Sequence, residues 1–455
     1  MDRKWWILLS VGIGSFMAAL DGSIVNTILP VIQKRFGCEL AAVQWTVTVY
    51  LLAISVLLLS FGRAGDLWGH KRVYLWGFWL FVIGSALCGM SPGIGTLIAF
   101  RSIQAIGAAM LFATAPALLT AGFPASQRGQ ALGLQATMTY LGLAFGPALG
   151  GYLADVFTWR AVFYINVPIG AAALAAGTWF IPAPPRRSDA ERFDAAGAGL
   201  FMAGLGSLLL SLNQGHEWGW GSWRIAALLA ASVVLLAVFL AVEMRVKQPM
   251  LDLSLFRHPV FSASVAAAVL NYICMASINF AMPFYLHGAH GLSMKRTGLM
   301  LTMQPLVMAV AAPISGTISD RIRSSLPSVI GMAILAGGTF LLLWIAPDTS
   351  LLYLAVAFCI VGLGTGIFIS PNNSALMGSA PSNRQGIAAG MLATARNVGI
   401  VLGVGLSGAA LTTGVAHGHT ISDSIVVGLH VAMCAAILSG LASLASRRRK
   451  DTRKA

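Results

Sequence analysis

Charged residues are scarce in this chain of 455 residues: Asp, Glu, Lys and Arg make up 10% of it, and only 15 residues are acidic. Soluble globular proteins carry about 25% charged residues, because their surfaces must be solvated. With 57% hydrophobic residues and a mean hydropathy of +0.80, the chain lacks the polar surface that soluble domains require. The composition therefore excludes a soluble fold and indicates an integral membrane protein.

The chain also lacks the sequence patterns of disulfide-bonded, metal-dependent and nucleotide-dependent proteins. Its five cysteines form no CxxC pair, and four of them fall within apolar runs. Neither a disulfide framework nor a zinc site is predicted from such spacing. The ATP-binding pattern GxxxxGK[ST] and the zinc-protease pattern HExxH do not occur. We therefore expect no metal and no cofactor, and an ATP-driven mechanism on this chain is disfavoured.

Long apolar runs fill most of the sequence. A membrane-spanning helix needs about 20 mainly apolar residues, whereas the strands of membrane β-barrels are shorter and alternate in polarity. The runs here are of the first kind, so the prediction is an all-α integral membrane protein with fourteen spanning helices. Their expected bounds are 5–29, 43–62, 73–91, 94–122, 131–153, 161–181, 194–213, 224–244, 259–286, 297–318, 327–346, 351–378, 386–412 and 424–446.

The basic residues show how these helices are oriented. With the N-terminus inside, 21 of the 29 Lys and Arg residues fall on the cytoplasmic side, 6 on the other side and 2 within helices. The positive-inside rule then places both termini in the cytoplasm. We expect the chain to lie in the cytoplasmic (inner) membrane. Because the positive charge is spread over many cytoplasmic segments, it predicts contact with membrane lipid rather than with nucleic acid.

The chain contains an internal repeat. Residues 129–151 align without gaps on residues 386–408 at an offset of 257, and nine positions are identical. Similar offsets relate Gly62 and Asp66 to Gly316 and Asp320. Two parallel six-helix halves with a binding site between them are a transporter architecture. We predict an N-terminal bundle over 1–193, two inserted helices with a linker over 194–258, and a C-terminal bundle with a basic tail over 259–455.

Three ionisable residues have clear intramembrane positions: Asp21, Arg101 and Arg396. Each costs about 2.5–3.5 kcal/mol at the centre of a helix, so each requires a reason. Asp21 and Arg101 are predicted at similar depths on the first and fourth helices, where they can meet across the cavity of the N-terminal half, with Gln104 on the same helix face as Arg101. Asp21 is predicted to carry the proton and Arg101 to modulate it; a static ion pair that joins two helices is the alternative. For Arg396 a structural role at a helix interface is favoured.

Two further patterns suggest moving parts. Small residues recur every four positions on the fifth helix, which favours close helix contact, and a proline beside them favours a bend; the set is Gly142, Gly146, Pro147, Gly150 and Gly151. The loop between the second and third helices is predicted to act as a cytoplasmic gate, with ordinary capping as the alternative; its residues are Gly62, Asp66, Gly69, Lys71 and Arg72.

Amides within the apolar segments are candidates for the substrate cavity. Such side chains also commonly bond neighbouring helices in membranes, and both interpretations stay open. The candidates are Asn26, Gln104, Asn271, Asn279, Gln304, Asn372 and Asn373.

The motifs together resemble the major facilitator superfamily, and within it the fourteen-helix drug:proton antiporter family 2. The similarity lies in residues 20–30, 62–72, 98–107 and 142–151, in Trp159 and Arg160 with the following Asn166 and Pro168, and in residues 396–399. The resemblance implies that Asp21 and Arg101 couple transport to protons, that 62–72 gates the cytoplasmic side and that 142–151 is an antiporter motif. It also supports the structural interpretation of Arg396.

The resulting prediction is a proton-coupled antiporter that exports amphipathic cationic or neutral molecules by alternating access. We expect a protein that is not an enzyme, that uses protons as its coupling ion and that works as a monomer, with a periplasmic partner left open. A dedicated exporter of one metabolite is the alternative within transport. A membrane-embedded enzyme acting on lipid-linked substrates is a third hypothesis, but the long loops it would need are absent.

Overall fold

The computed structural model describes the chain except for residues 1, 39, 183–192, 220, 247–248, 250, 252, 287–289, 293, 323–325, 347, 382–383, 417–419 and 452–455. Its regular structure is helical throughout the described residues. In chain order the α-helices are α1 (Arg3–Phe36), α2 (Leu40–Trp68), α3 (His70–Met90), α4 (Ile94–Gly122), α5 (Arg128–Val156), α6 (Ala161–Tyr164), α7 (Asn166–Phe180), α8 (Ala195–Trp218), α9 (Trp223–Glu243), α10 (Pro259–Phe284), α11 (Met294–Ile322), α12 (Leu326–Leu342), α13 (Leu351–Ser379), α14 (Gln385–Ala416) and α15 (Ile421–Asp451).

Thirteen of the fourteen predicted segments fall on one helix each, and the sixth falls on two, which confirms the predicted fold class. The sixth segment is divided into α6 and α7 near Ile165, because Pro168 has no N–H group to donate to the carbonyl of Tyr164. Twelve helices in the described part of the chain are long and apolar enough to cross a membrane. Two of the fourteen predicted segments are not among these twelve. Helix α12 has 17 residues, and α5 is rich in glycine and packs mainly against α1 and α11.

The start of α1 lies at the same end of the bundle as the starts of α3 and α5 and the end of α7. Lys4 donates to the side-chain oxygen of Gln127, 3.1 Å away, at the start of α5. Lys71, at the start of α3, donates to the carbonyl of Ile181 at the end of α7, 2.6 Å away. We call this the N-terminal end. The predicted cytoplasmic arginines Arg186, Arg187 and Arg192 lie outside the described residues.

Two pairs of helices carry most of the contact between the first six spans and the last six. Helix α2 packs on α14, and α5 packs on α11. The predicted insertion, α8 and α9, forms a hairpin whose α8 packs on α2 and α14. The division of the chain at residues 193 and 258 remains a prediction. What matters for the site is that α1, α2, α4 and α5 face α10, α13 and α14 across a central space.

Candidate functional site

The structure brings Asp21 and Arg101 together inside the N-terminal half. Both side chains are fully buried, and the guanidinium Nη1 of Arg101 donates to Oδ2 of Asp21. Oδ1 of Asp21 accepts from Nε2 of Gln104 and from Nδ2 of Asn166, each at 2.9 Å. Three donors on α4 and α7 therefore surround one carboxylate on α1, which is the arrangement that stabilises a charge away from water.

The same donors are fixed by their own partners. Nη1 of Arg101 also donates to Oε1 of Gln104 at 2.8 Å, and its Nε donates to the backbone carbonyl of Thr46 at 3.1 Å. Nδ2 of Asn166 also donates to Oγ of Ser85 at 3.1 Å. The network thus joins α1, α2, α3, α4 and α7, so any change in the charge of Asp21 acts on five helices at once.

Tyr50 separates this network from the space between the halves. Its ring centroid lies 4.0 Å from the guanidinium carbon of Arg101, and its hydroxyl donates to the carbonyl of Ala18 at 3.0 Å. Tyr50 and Ala18 line the central cavity, whereas Asp21 and Arg101 do not. The sequence predicts that Asp21 and Arg101 meet across a cavity of the N-terminal half; in the structure three donors draw the carboxylate into the N-terminal bundle, behind one aromatic ring.

The central cavity has a volume of about 320 Å³, within the usual range for small-molecule sites. Its walls come from both halves and are mainly apolar, with polar groups at intervals. On the N-terminal side the polar residues are Ser23, Asn26, Tyr50, Gln135, Thr139 and Tyr140, and on the C-terminal side they are Tyr272, Asn373, Arg396 and Asn397.

Of the seven amides proposed for the cavity, Asn26 and Asn373 line it. The other five do not line it. Gln104 is engaged with Asp21, Asn279 is exposed, and Asn372 donates to the carbonyl of Ser264 at 3.1 Å. The remaining two are buried inside the C-terminal half without a hydrogen-bond partner among the described residues, namely Asn271 and Gln304.

For Arg396 the structural role at a helix interface stays a prediction, and the structure shows its contact with Phe112 of α4. Its side chain is part of the cavity wall, with its guanidinium carbon 4.6 Å from the ring centroid of Phe112. Sequence reasoning also assigned no role to Tyr50 or Asn166. The sequence does mark Asn166, since it belongs to the family pattern after Trp159. That pattern does not show that its side chain hydrogen-bonds Asp21.

The glycines of α5 allow close contact with α1. A Cβ atom at Gly142 would lie 3.0 Å from the backbone nitrogen of Leu20, and one at Gly146 would lie 3.0 Å from that of Ile24. At Gly150 the nearest atom would be the carbonyl oxygen of Ile24, at 2.8 Å. These three positions lie against α1, the helix that carries Asp21.

The other two residues of this motif have different surroundings. Gly151 has open space where a Cβ would lie, so packing does not account for it. Pro147 is exposed and lies inside the continuous helix α5, where it cannot donate to the carbonyl of Leu143.

Two carboxylates join the halves at the N-terminal end, and we call this pair the clamp. Oδ1 and Oδ2 of Asp66 accept from the backbone N–H groups of Gly386 and Ile387 at 2.7 and 3.0 Å, at the start of α14. Asp320 accepts in the same way from Gly129 and Gln130 at 3.0 and 2.9 Å, at the start of α5. Acids at helix N-termini are stabilised by the unpaired N–H groups and by the helix dipole.

The clamp follows the internal repeat. Asp66 and Asp320 are repeat counterparts, and so are Gly386 and Gly129, whose backbone N–H groups donate to them. Each half therefore supplies one acid and one helix start. Glycine is needed here because a Cβ at Gly386 would lie 2.8 Å from the carboxyl carbon of Asp66.

The remaining gate residues support the turn beside Asp66. Gly62 lies against the backbone of α14 near Gly386. Gly69 has a φ of 93°, a left-handed conformation that favours glycine, and it reverses the chain between α2 and α3. Lys71 binds carbonyls at the end of α7, and Arg72 is exposed.

Comparisons with known proteins agree with this architecture. The sequence profile of the Major Facilitator Superfamily matches residues 11–404. The chain is 36% identical over 413 residues to the riboflavin transporter RibZ of Clostridioides difficile strain 630, which covers 89% of this chain and 87% of that protein. It is 32% identical over 405 residues to the multidrug resistance protein Stp of Mycobacterium tuberculosis strain CDC 1551 / Oshkosh, with 89% of this chain and 75% of that protein covered.

Among solved structures, the human organic anion transporter MFSD10 matches with a TM-score of 0.72 at 13% identity, covering 97% of this chain and 100% of that one. At this identity the likeness shows the fold alone. The profile covers most of the chain, and relatives above 30% identity include a named drug-resistance transporter. The superfamily predicted from the motifs is thereby confirmed: the chain belongs to the major facilitator superfamily and is a multi-pass membrane transporter, not an enzyme.

Proposed function

We propose that the protein is a proton-coupled antiporter that exports amphipathic small molecules across the cytoplasmic membrane by alternating access. The observation that carries the proposal is the position of Asp21, a fully buried carboxylate on α1 that lies one ring behind the substrate-sized cavity. A carboxylate in low dielectric binds a proton more readily, and a neighbouring guanidinium opposes this. In any such pair, a movement that changes the contact between the two groups changes the affinity of the carboxylate for a proton.

Coupling requires that this affinity depends on the conformation of the whole protein. Asp21 lies on α1, which packs on α5, and α5 reaches the other half through α11 and the clamp. Rocking of one half against the other therefore acts on the helix that carries the acid. In the proposed cycle, substrate loads from the cytoplasm and leaves outside, and a proton that enters from outside resets the carrier.

The clamp supports an assignment of this structure to the outward-facing side of that cycle. By the excess of basic residues the N-terminal end is cytoplasmic, and the clamp closes that end. A C-terminal fusion to a reporter that fluoresces only in the cytoplasm measures this orientation.

The test uses purified protein in liposomes with an imposed pH gradient, with ethidium and riboflavin as fluorescent probes. We expect gradient-driven movement of at least one probe, with its loss in Asp21→Asn because a neutral amide carries no proton. Asp155→Asn makes the same change at an exposed site on α5 and should keep wild-type transport. Gradient-independent transport at the wild-type rate in folded Asp21→Asn would remove Asp21 from the mechanism.

A second candidate is a dedicated carrier of one planar aromatic metabolite. It is supported by the 36% identity to a protein named a riboflavin transporter. Saturable riboflavin transport without movement of ethidium would favour this candidate over multidrug export.

A further inference from the structure

Arg396 places a cation in the wall of the central cavity, with no counter-ion among the described residues. Arg396 lies about three turns into α14 and is half-buried. Its guanidinium carbon lies 4.6 Å from the ring centroid of Phe112, and none of the described residues gives it a hydrogen bond or an ion pair. A charge in a membrane interior is expensive unless something pairs with it, so the partner of Arg396 is expected to enter the cavity.

The lining of the cavity, in the part of the chain that the structure describes, contains no acid that would attract a cation. None of its described lining residues is Asp or Glu. The buried carboxylate of Asp21 lies behind Tyr50, and its oxygens already accept from three side chains. The charged lining of the cavity is therefore positive, in contrast to the cationic substrates considered from sequence.

Further donors lie around Arg396. The side-chain nitrogen of Asn397 is buried and has no acceptor among the described residues. The phenols of Tyr140 and Tyr272 line the same cavity as Arg396. Buried donors without acceptors cost free energy, and an anionic group on a ligand satisfies several of them at once.

The opposite wall carries a neutral polar group at the matching position of the repeat. The counterpart of Arg396, at the offset of 257, is Thr139, which also lines the cavity. The rest of the lining is largely apolar and aromatic, as in Phe112, Ile54 and Met275. The geometry fits a molecule with one acidic head and an apolar or aromatic body.

We propose that Arg396 and Asn397 form an anion subsite in the cavity, and that the transported molecules are amphipathic organic acids bound as anions. The inference rests on the proposed function, since it uses that cavity, and it narrows the substrate class. The guanidinium binds the carboxylate or enolate of the ligand through paired N–H groups, and the body of the ligand lies between the two halves.

Equilibrium binding to the purified full-length protein in detergent tests the subsite without any proton gradient. The probes are naphthoate, naphthamide and protonated naphthylmethylamine, which share one ring system and differ in charge. Wild-type protein should bind naphthoate about tenfold or more tighter than naphthamide, as expected for hydrogen bonds to a charged partner, and the ammonium compound should bind most weakly. Calorimetric titration measures all three.

Arg396→Gln should reduce the preference for naphthoate to near unity while naphthamide binding stays at the wild-type level. Arg396→Lys should keep part of the preference, because it retains the charge without the fork of donors. The matched control is Arg257→Gln, an exposed arginine outside the cavity, with no effect expected.

Equal or tighter binding of the ammonium compound to the wild-type protein overturns the subsite, even if Arg396→Gln does not fold. So does an unchanged naphthoate preference in folded Arg396→Gln, or no detectable binding of naphthoate. Failure of gradient-driven transport with the charge preference intact would instead remove the proton coupling and leave the subsite standing.

Discussion

Single residues in the N-terminal half act as one network around a buried charge. Asp21 has three donors, and Arg101 has two acceptors besides Asp21 and a stacked ring. Removal of one partner of a buried pair leaves an uncompensated charge, which destabilises more than removal of both. The static and the proton-carrying interpretations of this pair both require the network, and the transport experiment on Asp21 separates them.

A double-mutant cycle at this pair checks the energetic claim. Arg101→Gln should lower the unfolding temperature in detergent, because the charge of Asp21 then has only amide donors. The double variant Asp21→Asn with Arg101→Gln should be more stable than the sum of the single effects predicts, with a coupling energy of about 1–3 kcal/mol. Additive effects within error would show that the two charges do not stabilise each other.

Helices in this protein approach closely where glycine removes the side chain. The contact between α1 and α5 depends on Gly142, Gly146 and Gly150, whose Cβ positions are occupied by atoms of α1. The pattern of four-residue spacing predicted a bare helix face. It did not distinguish the three packed glycines from Gly151, whose Cβ position is open.

Alanine at Gly146 and at Gly151 should therefore have different effects. At Gly146 the added methyl group would lie 2.9 Å from Cβ of Ser23, so α1 and α5 must separate, at a cost of about 1–3 kcal/mol. Gly151→Ala is the matched control on the same helix and should be nearly neutral. Thermal unfolding and the yield of folded protein measure both. A stable, fully active Gly146→Ala variant would show that α1 and α5 can separate at this position without loss of stability or activity.

At the scale of the whole molecule, the two halves meet through a clamp built twice by the repeat. Asp66 holds the start of α14, and Asp320 holds the start of α5. An acid at a helix N-terminus contributes about 0.3–2 kcal/mol. Two such contacts are enough to bias an equilibrium between conformations without locking it.

Neutralisation of both acids should open the N-terminal end. Spin labels at Ala125 and Gly378, two exposed positions at that end, should show longer distances in the double variant Asp66→Asn with Asp320→Asn, and an intermediate shift in each single variant. Asp155→Asn, at the opposite end of α5, serves as the control. An unchanged distance distribution in the double variant would show that other contacts keep this end closed.

The sequence by itself determined the helices, the family and the repeat, because a bilayer demands long apolar segments with satisfied backbones and because the motifs are local in the chain. It also singled out Asp21 and Arg101, since intramembrane charges are few. Tertiary structure alone decided which polar groups meet: Asn166 joins Asp21, Tyr50 covers the pair, and Arg396 lines the cavity. The side to which a helical residue points depends on how helices cross in space, and chain-local patterns do not record it.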